Sequence, residues 1–147
     1  MRAKIPQGDG LWPAFWLLNA YYVGQQPEID IMEFRGENTQ QVVHSYHHND
    51  NGLQSESYTT SHPDPTLGYA DDFHTYGVRW QAGKITWYVD GLPVHTYVDE
   101  DVAYQLMYVI ANLAVGGDFN FSSTDPDVFP ASLDIDYIRV YQEKGID

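Results

Sequence analysis

The segment Glu28-Ile29-Asp30-Ile31-Met32-Glu33 constrains this chain more than any other. Three carboxylates fall within six residues, separated by Ile and Met, in a stretch that otherwise reads as a buried β-strand. Burying acids side by side is costly and drives their pKa values apart. Such clusters persist chiefly where the acids do chemistry or hold a metal. Side chains alternate along a strand, so Glu28 and Asp30 share a face. Glu33, five positions beyond Glu28, belongs on the opposite face unless one residue is bulged out, a device common beside active sites.

With that bulge the two glutamates behave as residues four apart, their Cα atoms about 13 Å from one another. Carboxyl groups leaning inward from there approach the ~5–5.5 Å of an acid pair that cleaves glycosidic bonds with retention. Taken alone, the acids also admit a metal site or an ordinary polar strand face.

The remainder of the chain predicts an all-β fold. No segment sustains a capped 3.6-residue period. Ile85–Val89 and Pro93–Val98 flank Asp90-Gly91, a two-residue hairpin signal, and Gln81-Ala82-Gly83-Lys84 reads as another turn. Residues 73–98 are therefore expected to form a three-strand meander. Tyr104–Val115 reads as a strand buried on both sides, and Leu133–Tyr141 as the last strand. Asn49–Gly52, His62–Gly68 and Gly116–Pro130 are rich in turn formers and read as loops. Nothing in the pattern marks a linker or a repeat, so residues 1–147 are expected to form one domain or part of one.

Charge narrows the partners. Seven basic residues against twenty-one acidic ones give a formal charge of −14, which disfavours nucleic acid and acidic polysaccharides. Solubility is an equally good reason for the acidity. The absence of Cys excludes disulfides and a thiol nucleophile. No apolar run reaches membrane length.

Five further blocks surround the acids. Gly10-Leu11-Trp12-Pro13-Ala14-Phe15-Trp16-Leu17-Leu18 precedes them; Phe73–Trp80, Ile85–Gly91, Asn112-Leu113-Ala114-Val115-Gly116-Gly117 and Ile135–Tyr141 follow. In this order they resemble glycoside hydrolase family 16, in the laminarinase type whose E-x-D-x-x-E carries the bulge. The resemblance implies a concanavalin A-like jelly-roll β-sandwich and a retaining, endo-acting secreted enzyme. Its substrate would be a neutral β-1,3- or mixed-linkage glucan, cleaved without an organic cofactor. It implies Glu28 as nucleophile, Glu33 as general acid and then base, and Asp30 as the carboxylate orienting Glu28. Trp12 and Trp16, four apart on one strand face, are implied as sugar-stacking platforms. Trp80 and Trp87 are expected in the core.

The motif Val43-His44-Ser45-x-x-His48 resembles a run in which the second histidine meets sugar, so His48 is expected in the cleft with His44 on its face. His44, His47, His48 and Asp50 also admit a metal reading. Arg35 is placed to bond sugar hydroxyls or to pair with Glu37. Asp136 is expected to be partly buried and, by resemblance, to ligate a structural calcium, although the family's other ligands fall outside this sequence. Asn120-Phe121-Ser122 forms a glycosylation sequon. Asp118-Phe119-Asn120-Phe121 stands where many relatives carry a cleft-shaping Trp, which leaves the glucan linkage open. Galactan-cleaving relatives share similar motifs.

The block Arg2-Ala3-Lys4-Ile5-Pro6 lies well inside the domain in the family, which implies missing N-terminal strands and open sheet edges. Those edges are a route to dimers by strand exchange. The competing functional reading is a non-catalytic glycan-binding module, or an inert fragment, of the same sandwich.

Overall fold

The computed structural model describes residues 1–21, 27–48, 54–100, 102, 104–119 and 126–142. Ten strands run in chain order: β1 (Arg2–Lys4), β2 (Leu11–Asn19), β3 (Glu28–Arg35), β4 (Asn38–His48), β5 (Gln54–Ser61), β6 (His74–Gln81), β7 (Lys84–Val89), β8 (Leu92–Val98), β9 (Met107–Val115) and β10 (Asp134–Tyr137). A single 3-10 turn spans Pro126–Val128 among the described residues. Two five-stranded sheets result, ordered β10-β1-β6-β7-β8 and β5-β4-β3-β2-β9. Every pairing is antiparallel. The fold is the all-β, jelly-roll sandwich that the sequence predicts.

Alternation explains how the sheets bind each other. Phe15, Ile31, Phe34 and Val42 from one sheet are buried with Ala3, Tyr76 and Val89 from the other. A second cluster joins Ile29 and Tyr46 to Ile85 and Trp87. Removing these faces from water supplies the main force holding the layers together. The opposite face of β2, β3 and β4 is left to carry polar side chains.

The β7–β8 hairpin forms where expected. Asp90 and Gly91 adopt φ of 49° and 77°, the paired left-handed conformation of a tight turn that matches strand twist. Two strand expectations are corrected. The run ending at Val115 is an edge strand pairing with β2, with Tyr108, Val109 and Val115 exposed, rather than a strand buried on both sides. Its apolarity reflects composition more than enclosure. The last strand is confined to Asp134–Tyr137, and residues 138–142 continue outside the sheet. The expected loop at 49–52 and the sequon's Asn120 and Ser122 lie outside the described residues.

The predicted bulge is present. Trp16 pairs with Asp30 and Phe15 with Met32, leaving Ile31 as the extra residue of β3. The β4 side agrees: Asp30 opposes Ser45 whereas Glu33 opposes Val43. Ile31 and Met32 both enter the core, so Glu33 returns to the face of Glu28 and Asp30. Two fully buried donors hold the bulge. Trp87 Nε1 donates across the sandwich to the Asp30 carbonyl at 2.9 Å, and His44 Nδ1 donates to the Ile31 carbonyl at 2.8 Å. Trp87→Phe keeps most of the volume but strands that carbonyl, and the expected cost is about 1–3 kcal/mol by urea unfolding.

Candidate active site

Trp12, Ala14, Trp16, Glu28, Asp30, Glu33, Asn112 and Ala114 line a cavity of about 150 Å³ on the outer face of β2, β3 and β9. The bulge thus brings together the three expected acids and both expected tryptophans. Each indole has its N–H tied to a polar partner. Trp12 Nε1 donates to Glu33 Oε1 at 3.0 Å, and Trp16 Nε1 donates to Asn112 Oδ1 at 2.8 Å. Trp12 is also stacked on Phe119, ring centroids 5.0 Å apart at 22°. Arg35 closes that stack: its guanidinium lies 4.9 Å from the Phe119 ring centre, and its Nε donates to the Phe119 carbonyl. Arg35 therefore supports the wall of the cleft.

The acids differ in surroundings. Asp30 and Glu33 are buried, whereas Glu28 is half-buried. Burial, reinforced by the Asp30 charge, pushes Glu28 up to about 7. Burial and then Asp30 push Glu33 up to about 8, against the lowering effect of the Trp12 hydrogen bond. Asp30 is also raised, by burial, while the close approach of His47 opposes the rise. Glu33 holds its proton to higher pH than Glu28, and the closeness of the three groups makes them titrate together.

His47, which the sequence offers only as one of several residues admitting a metal, lies in the cleft beside the acids. Its Nε2 lies 3.0 Å from Asp30 Oδ2 and 3.9 Å from Glu28 Oε1, and its Nδ1 lies 2.6 Å from Ser55 Oγ. The Asp30 carboxylate beside it raises its pKa, with desolvation opposing. The expected cleft histidine, His48, sits elsewhere. In β4, residues 44, 46 and 48 face the core, where His48 stacks on Tyr46 at 4.8 Å and His44 lies fully buried. Burial depresses His44 to about 4, which keeps it neutral. The register Glu28↔His47 and Asp30↔Ser45 is what turns positions 45 and 47 toward the acids. Pairing β4 to β3 from the acids outward would have revealed this, since Glu28 and its partner must share a face. Asn112 carried a weaker signal, as a polar residue inside the apolar run of β9.

Asp136 is exposed rather than partly buried and forms an ion pair with Arg2 at 2.9 Å. Its short strand lies at a sheet edge, which leaves the carboxylate in water. A cation already occupies its flank and, among the described residues, no metal-type cluster includes it. The residues present do not fit a calcium cage there. Trp87 is core as expected, and Trp80, half-buried, packs against the same core cluster and against Tyr104.

The structure is thus an antiparallel β-sandwich whose open sheet face carries clustered carboxylates between two tryptophans. The sequence profile of the glycosyl hydrolases family 16 matches residues 1–139. The chain belongs to glycosyl hydrolase family 16. It is 36% identical over 143 residues to the endo-1,3-1,4-beta-glycanase ExsH of Rhizobium meliloti, covering 96% of this chain and 29% of that protein. It is 35% identical over 162 residues to a beta-glucanase of Rhodothermus marinus, covering 97% and 56% respectively. The solved laminarinase from Flavobacterium sp. UMI-01 superposes with a TM-score of 0.80 at 34% identity, covering 96% of this chain and 64% of that one. The chain thus spans roughly a quarter to just over half of the curated relatives it matches.

The buried acids make stability fall with rising pH. Glu33 binds its proton more tightly folded, at about 8, than at its ordinary 4.5. Its favourable contribution is full below 4.5 and is lost as pH rises through about 8. Glu33→Gln removes the ionisation and keeps an acceptor for Trp12. Thermal unfolding at about pH 9 should show the variant more stable by roughly 1–3 kcal/mol, with the gain vanishing near pH 4.

Proposed function

We propose that this chain carries the catalytic centre of an endo-acting β-glucan hydrolase of the retaining type. The placement of Glu33 beside Glu28 and Asp30 by the Ile31 bulge carries the reading. Glu28 attacks the anomeric carbon and forms a glycosyl-enzyme. Glu33 first protonates the leaving oxygen and then draws a proton from the attacking water. The deeper burial of Glu33, which raises its pKa, supports this division, because the acid must hold its proton near neutral pH. Asp30 and His47 orient Glu28, and His47 offsets its negative charge. Acid–base and nucleophilic roles are covered by side chains, so the reaction draws on no organic cofactor.

A neutral β-1,3- or mixed-linkage glucan fits the site best. Its sugar rings have apolar faces for Trp12 and Trp16, and a chain of formal charge −14 repels sulfated polymers. Residues 1–147 form part of a single catalytic domain in this reading, and a polymeric substrate implies secretion.

Reducing ends released from laminarin and from barley mixed-linkage glucan test the proposal. The native chain should act on at least one, and Glu28→Gln should lower kcat by ~10³-fold or more. A folded native chain silent on both would sink the reading. The pH dependence of kcat/KM should be bell-shaped, rising through the Glu28 value near 7 and falling above the Glu33 value near 8. His47→Gln removes a cation beside Glu28, so the acid limb should move to higher pH while the alkaline limb shifts less.

A further inference from the structure

Glu28, Asp30 and His47 offer three ligand atoms that all lie within 4.8 Å of one another. Two features make the group more than an acidic cluster. Asp30 is 3% exposed, and its Oδ2 is enclosed without a directed hydrogen bond. The close atom is His47 Nε2 at 3.0 Å, a contact whose direction is poor for a ring N–H. Second, Nδ1 of His47 lies 2.6 Å from Ser55 Oγ. A proton on Nδ1, donated to that hydroxyl, leaves the Nε2 lone pair free and directed to one side of Asp30 Oδ2, where a cation shared by both atoms would sit. Such an outer partner fixes the tautomer of a metal-bound histidine.

We infer that Glu28, Asp30 and His47 form a site for a first-row divalent transition cation of the zinc type, and that its occupancy blocks the cleft. Ligand bonds of about 2.0–2.2 Å at near-right to tetrahedral angles hold neighbouring donors about 3.0–3.4 Å apart. The Asp30–His47 pair already has this spacing, and Glu28 Oε1, 3.9 Å from Nε2, needs only a modest side-chain rotation to complete a face. One imidazole and two carboxylates suit zinc, manganese or cobalt more than calcium, which takes six to eight oxygens. Water fills the remaining positions, on the cavity side. A cation bound there neutralises Glu28 and occupies the space of the reacting sugar. The block on hydrolysis rests on the function proposed above; the binding does not.

Zinc chloride titrated into the native chain by isothermal calorimetry, without substrate, tests the site directly. One saturable equivalent is expected. Loss of at least tenfold in affinity is expected for His47→Ala, and no change for His62→Ala, whose imidazole lies away from the cleft. Should His47→Ala lose its circular-dichroism signature, Glu28→Gln takes its place, with the same tenfold expectation. Absence of uptake by the native chain, or uptake indifferent to both substitutions, overturns the site. On glucan hydrolysis, zinc should raise KM at constant kcat and a chelator should restore it. Stoichiometric uptake with unchanged hydrolysis overturns the block and leaves the site standing.

Discussion

A strand alternates its side chains strictly, so two acids five positions apart cannot meet on one face unless the backbone gains a residue. The extra residue at Ile31 provides that freedom, and it takes the carbonyls of Asp30 and Ile31 out of regular pairing. Buried carbonyls without donors are costly. Here they are met by Trp87 from the opposite sheet and by His44 from the neighbouring strand, both fully buried. Ile31 and Met32, both apolar, then enter the core side by side. The site is therefore anchored through the interior of the sandwich, and residues that never touch the cleft decide where Glu33 points.

Electrostatics follows from that geometry. Three carboxyls brought together at low exposure cannot all ionise without cost, and burial is the leading cause in each. His47 offsets part of the cost around Asp30 and Glu28, while the Trp12 N–H offsets part around Glu33. The two compensations sit at opposite ends of the cluster. Glu28 is the more exposed of the two glutamates and Glu33 the more enclosed, and both are held above the ordinary carboxylate range. The same crowding that makes the cluster a liability for stability is what would poise it for proton transfer in the proposed function.

Features set by local physics were legible in the sequence. Alternation and spacing announced the bulge, and Asp90-Gly91 announced its hairpin because both positions take a positive φ. The pairing of Trp12 with Trp16 on one face followed from even spacing. Features set by tertiary context were not. Which face of β4 turns toward the acids depends on its register with β3, and no local pattern distinguishes His47 from His48. Asp136 read as half-buried because Ile138 and Val140 share its parity, yet the strand ends at Tyr137 and that parity has no sheet to act on. The same limit explains β9, whose apolar run reads alike for a central strand and for an edge.

The two tryptophans are not equivalent platforms. Both have their N–H committed to protein, which fixes each ring in plane and removes much of the entropy lost on stacking a sugar. Trp12, however, has Phe119 on one face, and a Cβ at Gly117 would lie 3.0 Å from its Cζ3. Gly117, at φ 101°, thus lets the loop press against the indole. A ring held by Phe119, Arg35 and Gly117 serves mainly to aim its N–H at Glu33. Trp16 is tied through its indole nitrogen to Asn112 and lines the same cavity. In the proposed function, Trp12 bears chiefly on proton transfer, through its N–H on Glu33, and Trp16 on substrate contact.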